Sequence, residues 1–153
     1  MPIISGGVVN GLSEVYAPEV TFTETTGAGT YTGSVVVPAG ATILDVVING
    51  VALWTATTSA TMKVGDVADD DGYFTGIDLK ATDLLAGESL SFDAAGGKAG
   101  AYIANSQVSP RYSASERTIS GIVTTVGAAG NAGRTRMTVV YTGTGQVGAA
   151  TKA

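Results

Sequence analysis

The residues best equipped for chemistry lie in one acidic segment, "VADDDGYFTGID", residues 67–78. Counted as a twelve-residue calcium loop, it places Asp69, Asp71 and Gly72 at the third, fifth and sixth positions and Asp78 at the twelfth. Such a loop needs a side-chain oxygen at its first position and a bidentate Glu at its last. Val67 supplies no ligand atom, and Asp78 is one methylene short of the required Glu. The expectation is therefore an exposed loop kept soluble by its charge, with no dedicated metal site and at most adventitious binding of Ca²⁺ or Mg²⁺. Glu88 and Asp93 form a second carboxylate pair, the minimum set for acid and base work on a glycoside. In a Gly/Thr-rich sheet they read as surface residues, and no catalytic residue is assigned.

"GTGQVG", with Gly143, Gly145 and Gly148, matches the dinucleotide-binding fingerprint letter for letter. That mechanism needs a helix whose N-terminus holds the pyrophosphate, and a strand beyond it. Only five residues follow Gly148. The segment reads as a flexible tail, and no cofactor is expected. Histidine and cysteine are both absent. That removes the Ser-His-Asp triad, imidazole and thiolate metal ligands, the thiolate nucleophile and any disulfide framework. Arg134 and Arg136 stand two apart in "RTRMTVVY" and so share a face if this is a strand. They suit either a solvated face or a contact between subunits in which Arg meets carboxylate.

The elements that must carry these residues are strands. Charged residues make up 14% of the chain, hydrophobic residues 44%, and there are 22 glycines. The Glu, Lys, Arg and Gln that clothe long helices are scarce, whereas Thr and Val suit a pleated, half-buried surface. "EVTFTETT" alternates with Val20 and Phe22 on one side, "TYTGSVVVP" stops at Pro38, and "TILDVVI" and "VALWTA" flank Asn49-Gly50. Two apolar runs joined by Asn-Gly predict a type I′ hairpin. "SATMKVGD", "YFTGIDL", "ESLSFDA", a short strand at Ala101 to Ala104, "RTISGIVTTVG" and "RTRMTVVYTG" follow, with Asp78 to Gly87 as the helical candidate. The predicted core is Val20, Phe22, Val35, Val37, Ile43, Val46, Ile48, Leu53, Leu90, Phe92, Ile122, Val139 and Tyr141. Trp54 reads as core, with a sugar-binding or protein interface as the other option.

The fold class expected is all-β: an antiparallel β-sandwich or jelly roll of about eight to ten short strands with one short helix. Residues 1–17 read as an N-terminal arm, 18–142 as the β-sandwich domain and 143–153 as a C-terminal tail. Ile3, Ile4, Val8 and Val9 are the adhesive points of the first arm and, with Arg134 and Arg136, the candidate partner contacts. The net charge of −5 opposes nonspecific nucleic-acid binding. It is uneven: residues 1–76 hold eight acids and one base, residues 77–153 five acids and seven bases. Chance plus one acidic loop accounts for this; complementary faces between neighbouring subunits are the alternative. No signal peptide and no apolar run near the roughly 20 residues of a membrane span is visible, so synthesis in a host cytoplasm and no membrane partner are expected.

Three stretches together resemble small head-associated proteins of tailed-bacteriophage virions: "GTYTGSVVVPAGATILDVVINGVALW", "SATMKVGDVADDDGYFTGIDLKATDLLAGESL" and "ERTISGIVTTVGAAGNAGRTRMTVVY". The resemblance is one of overall pattern over about residues 25–142. It implies a non-enzymatic decoration (cement) protein on the outer surface of a phage head, often a trimer at threefold positions, with the major capsid protein as partner. No binding residue is carried over, because the family offers no motif to match. A tail or baseplate component and a carbohydrate-binding or adhesin module are the alternatives. The last of these would show a row of exposed aromatics, whereas Trp54, Tyr73, Phe74, Tyr102 and Tyr112 are scattered.

Overall fold

The computed structural model describes residues 14–27, 29–104 and 111–143. They form nine strands and one helical turn: β1 (Val15–Tyr16), β2 (Glu19–Thr23), β3 (Thr30–Val37), β4 (Ile43–Ala52), β5 (Ser59–Gly65), β6 (Phe74–Asp78), β7 (Ser89–Leu90), α1 (Ala101–Ala104), β8 (Arg117–Val126) and β9 (Arg134–Thr142). One sheet runs β1-β9-β4-β7, with β2 also paired to β9, and the other runs β3-β8-β5-β6. Every strand pair is antiparallel. The architecture is an all-β sandwich. Since β1 pairs Val15 with Thr142 and Tyr16 with Tyr141, a short strand lies inside the segment 1–17.

Alternation builds the core between the sheets. Phe22 of β2, Val35 and Val37 of β3, Val46 and Ile48 of β4, Met62 and Val64 of β5, Ile119 and Val123 of β8, and Met137 and Val139 of β9 all point inward and are buried. Gly33 and Gly121 stand directly opposite each other on β3 and β8. A Cβ on Gly121 would sit 2.7 Å from Phe22 Cζ and 2.9 Å from Met62 Cε, and one on Gly33 would lie 3.1 Å from the Phe22 ring. The glycine pair therefore opens a slot that the Phe22 ring fills from the facing sheet.

Four sequence expectations are corrected. Asn49-Gly50 makes no hairpin: β4 runs straight through it, with Asn49 opposite Arg136 and Gly50 opposite Thr135. Gly50 N–H donates to the Glu88 carbonyl at 2.9 Å and its own carbonyl accepts Gly87 N–H at 2.7 Å. Bonding on both edges outweighs the local turn preference. The glycine serves close approach instead, because a Cβ there would meet Leu84 Cγ at 3.2 Å.

The helix expected at Asp78 to Gly87 is a run of turns. Asp83 Oδ2 accepts Asp78 N–H (2.7 Å) and Asp78 Oδ1 accepts Lys80 N–H (2.8 Å), the side-chain competition that displaces helical bonding. The helical turn lies instead at Ala101–Ala104, where a strand was expected, closed by Ala104 N–H on Gly100 O at 2.9 Å.

Leu53 is 37% exposed and Trp54 is buried, because the register shift between Gly50 and Ala52 reverses the alternation. Ile122 lies on the outer face, since Ile119, Gly121 and Val123 hold the inward parity. Val20 and Tyr141 are half-buried against the core.

Candidate functional surface

The acidic loop is held by its own hydrogen bonds. Asp66 Oδ1 accepts the N–H groups of Ala68 and Asp69 and the Tyr102 hydroxyl, each at 3.0 Å. Tyr102 OH is pushed up to about 12 by burial and by this carboxylate. Lys63 Nζ contacts Asp70 Oδ2 at 2.7 Å, and Asp71 Oδ2 accepts Thr75 Oγ1–H at 2.8 Å. Carboxylate oxygens of Asp69, Asp70 and Asp71 lie within 4.8 Å of one another.

The neighbouring carboxylate of Asp71 raises Asp69, while bonds from Thr75 and Asp69 lower Asp71. One proton shared between like charges explains both directions. Three of the four positions that carried the calcium-loop match are thus brought together or already occupied by donors from the chain itself. Chelator treatment is expected to leave the melting temperature unchanged. A drop on adding chelator, reproduced by Asp71→Ala, would instead establish a cation site.

A cleft of about 360 Å³ beside this loop is lined by Asp66, Val67, Ala68, Glu116, Arg117 and Thr118. Its acid and base are already committed: Asp66 to three donors, and Arg117 Nη2 to the Arg111 carbonyl at 2.8 Å. Glu88 and Asp93 are both exposed, and Glu88 Oε1 accepts Leu85 N–H at 3.3 Å, closing its own turn. These groups brace loops. Among the described residues they do not converge on a reaction centre.

Arg134 and Arg136 do share the outward face of β9, with Met137 and Val139 on the inward side. Arg136 lies between Thr21 and Asn49 across the ladder, and Arg134 opposite Thr23 and Ala52. Arg136 Nε reaches Glu19 Oε1 at 3.0 Å, an exposed pair contributing at most about 1 kcal/mol. Ile3, Ile4, Val8 and Val9, and most of "GTGQVG", lie outside the described residues.

Sequence reasoning missed Glu24. Its carboxylate is 2% exposed, and Oε1 accepts the N–H of Thr55 (2.9 Å), the hydroxyl of Thr55 (3.0 Å) and the N–H of Gly133 (2.9 Å). It joins the end of β2 to the segment after β4 and to the loop before β9. The signal was present: in "EVTFTETT" Glu24 has the parity of Val20 and Phe22, the inward one.

No family model matches this chain, and no curated protein matches it in sequence. Two solved structures match its fold. One is a chain in the acidic stable capsid structure of Helicobacter pylori bacteriophage KHP30, with TM-score 0.55 and 18% identity over 86% of this chain and 90% of that one. The other belongs to the capsid asymmetric unit of cyanophage Pam1, with TM-score 0.51 and 20% identity over 93% of each chain. At such identities the likeness is one of fold: this sandwich has the architecture of chains found in two phage capsids.

Proposed function

We propose that this chain is a non-enzymatic structural component of a phage virion, a decoration (cement) protein seated on the outer surface of the head. One observation carries the reading: the fold match to chains of two phage capsids runs over 86% and 93% of this chain. The match covers nearly the whole protein, so the shared unit is the sandwich itself and not a small common motif. The side-chain inventory supports it, since a protein that works by contact needs neither histidine nor cysteine. In this reading the chain acts as a homo-oligomer, a trimer, against the major capsid protein.

Residues 1–17 and 143–153 act as arms around the 18–142 domain. Ile3, Ile4, Val8 and Val9 insert into grooves of a neighbour, each buried aliphatic side chain contributing about 1.5–3 kcal/mol. Arg134 and Arg136 add charged contacts from the outer face of β9. Deleting residues 2–12 is expected to leave the melting temperature of the isolated protein unchanged while weakening its binding to phage heads by at least about a hundredfold. Unchanged head binding by the truncated protein would show that the arm is a passenger.

A further inference from the structure

The two outer faces of the sandwich differ in charge. The β9 side presents Glu19, Arg134, Arg136 and Asp45 on β2, β9 and β4. The outward residues of β3 and β8, Thr30 to Val36 and Thr118 to Val126, are Thr, Ser, Val and Ile without a single charge. On this neutral face Val36 is 53% and Val126 51% exposed. Ser34 Oγ and Ser120 Oγ hydrogen-bond each other at 3.0 Å, so part of its polarity is already satisfied and costs less to take out of water.

The margin of this face is unprotected. β3 pairs with β8 over eight residues without a register shift. The Thr125 N–H donates to the carbonyl of its opposite residue Gly29, so by the antiparallel alternation the backbone groups of Thr30, Thr32, Ser34 and Val36 point away from β8. No backbone bond among the described residues meets them at Thr32, Ser34 or Val36. Natural edge strands are blunted by charge, proline or a bulge. "TYTGSVVV" carries none of the three.

We infer that the neutral face of β3 and β8, with the open edge of β3, is where a second copy of this chain docks. Charge selects the occupant: at net −5, two copies repel across most orientations and approach without opposition through a neutral face. The size suffices. Four strands about 4.8 Å apart, eight residues long at about 3.3 Å each, span on the order of 500 Å² in plan. Two such faces reach the roughly 1,000 Å² that a specific interface requires. This rests on the homo-oligomeric part of the proposed function, but it is read on the purified chain alone, so it can fail while head binding succeeds, and the reverse.

The test is sedimentation equilibrium of the full chain over a concentration series, with Ser34→Lys and Thr32→Lys on the neutral face and Thr21→Lys on the opposite one. All three positions are exposed, so melting temperatures are expected to stay close to that of the unmodified protein. The unmodified chain and Thr21→Lys should self-associate alike, and both neutral-face variants should raise the dissociation constant about tenfold or more. A chain monomeric throughout would overturn the inference, as would neutral-face variants that associate normally. An unmodified monomer whose Ser34→Lys variant loses head binding would assign this face to the shell protein instead, and also overturn it.

Discussion

Replacing Glu24 by alanine is expected to destabilise the protein by about 3–5 kcal/mol, because it strands two backbone N–H groups and a hydroxyl in a water-free site. The carboxylate is 2% exposed, and the bond from Gly133 is returned by Glu24 N–H on the Gly133 carbonyl at 2.9 Å. Burial alone pushes the Glu24 carboxyl up. The N–H groups of Thr55, Gly133 and Ala56 and the Thr55 hydroxyl outweigh it and hold the group below its ordinary value. A carboxyl depressed in the folded state stabilises fully above its unfolded pKa of about 4.3, and that stabilisation is lost as pH falls through the folded value.

Glu24→Gln keeps the shape and an acceptor but cannot titrate. Its melting temperature should therefore lie below that of the unmodified protein near neutrality, and the gap should close as the solution is acidified below about pH 4. A gap that stays constant on acidification would mean that Glu24 is not ionised in the folded protein.

The second large effect is expected at Phe92. Its ring stacks on Tyr73 with centroids 5.6 Å apart at 12°, lies 6.4 Å from Phe74, and is covered by Arg111, whose Cζ stands 4.4 Å above the centroid. Its N–H donates to Asp45 Oδ1 at 3.0 Å, which fixes the short segment after β7 against β4. Truncation to alanine removes the apolar contact, leaves a cavity beside the fully buried Tyr73, and takes the ring from under a guanidinium. The expected cost is about 3–5 kcal/mol, read as a lower denaturant midpoint with an unchanged slope. An unchanged midpoint would take Phe92 out of the core.

Both residues show what a single sequence can reveal. Phe92 and Leu90 were legible from the alternation in "ESLSFDA", as were Val35, Val37, Val46, Ile48 and Val139 in their strands. The shared outward face of Arg134 and Arg136 followed from a spacing of two. Local signals failed where distant strands intervened. Asn49-Gly50 favours a turn in isolation, but β9, some ninety residues later, and the segment around Glu88 bond it from both sides. The helical reading of Asp78 to Gly87 counted Asp78 as a cap, and in the fold Asp78 and Asp83 bind nearby backbone to form turns.

Leu53 and Ile122 were placed inside by extending alternation through a bulge in one case and choosing the wrong parity in the other. Glu24 could be placed inward by parity, but nothing local announces the Thr55 and Gly133 groups that make it tolerable there. The neutral face of β3 and β8 is likewise a property of strand pairing, invisible until Thr32, Ser34 and Ser120 are brought side by side.

The central claim, that this chain is a structural part of a phage head, is tested most directly by quantitative protein analysis of density-purified virions from the phage that encodes it, with head and tail fractions separated. The account predicts the chain in the head fraction at a fixed ratio to the major capsid protein, unchanged through repeated purification and lost from heads assembled without the gene. Its absence from purified virions, or its recovery in the tail fraction alone, would contradict the account.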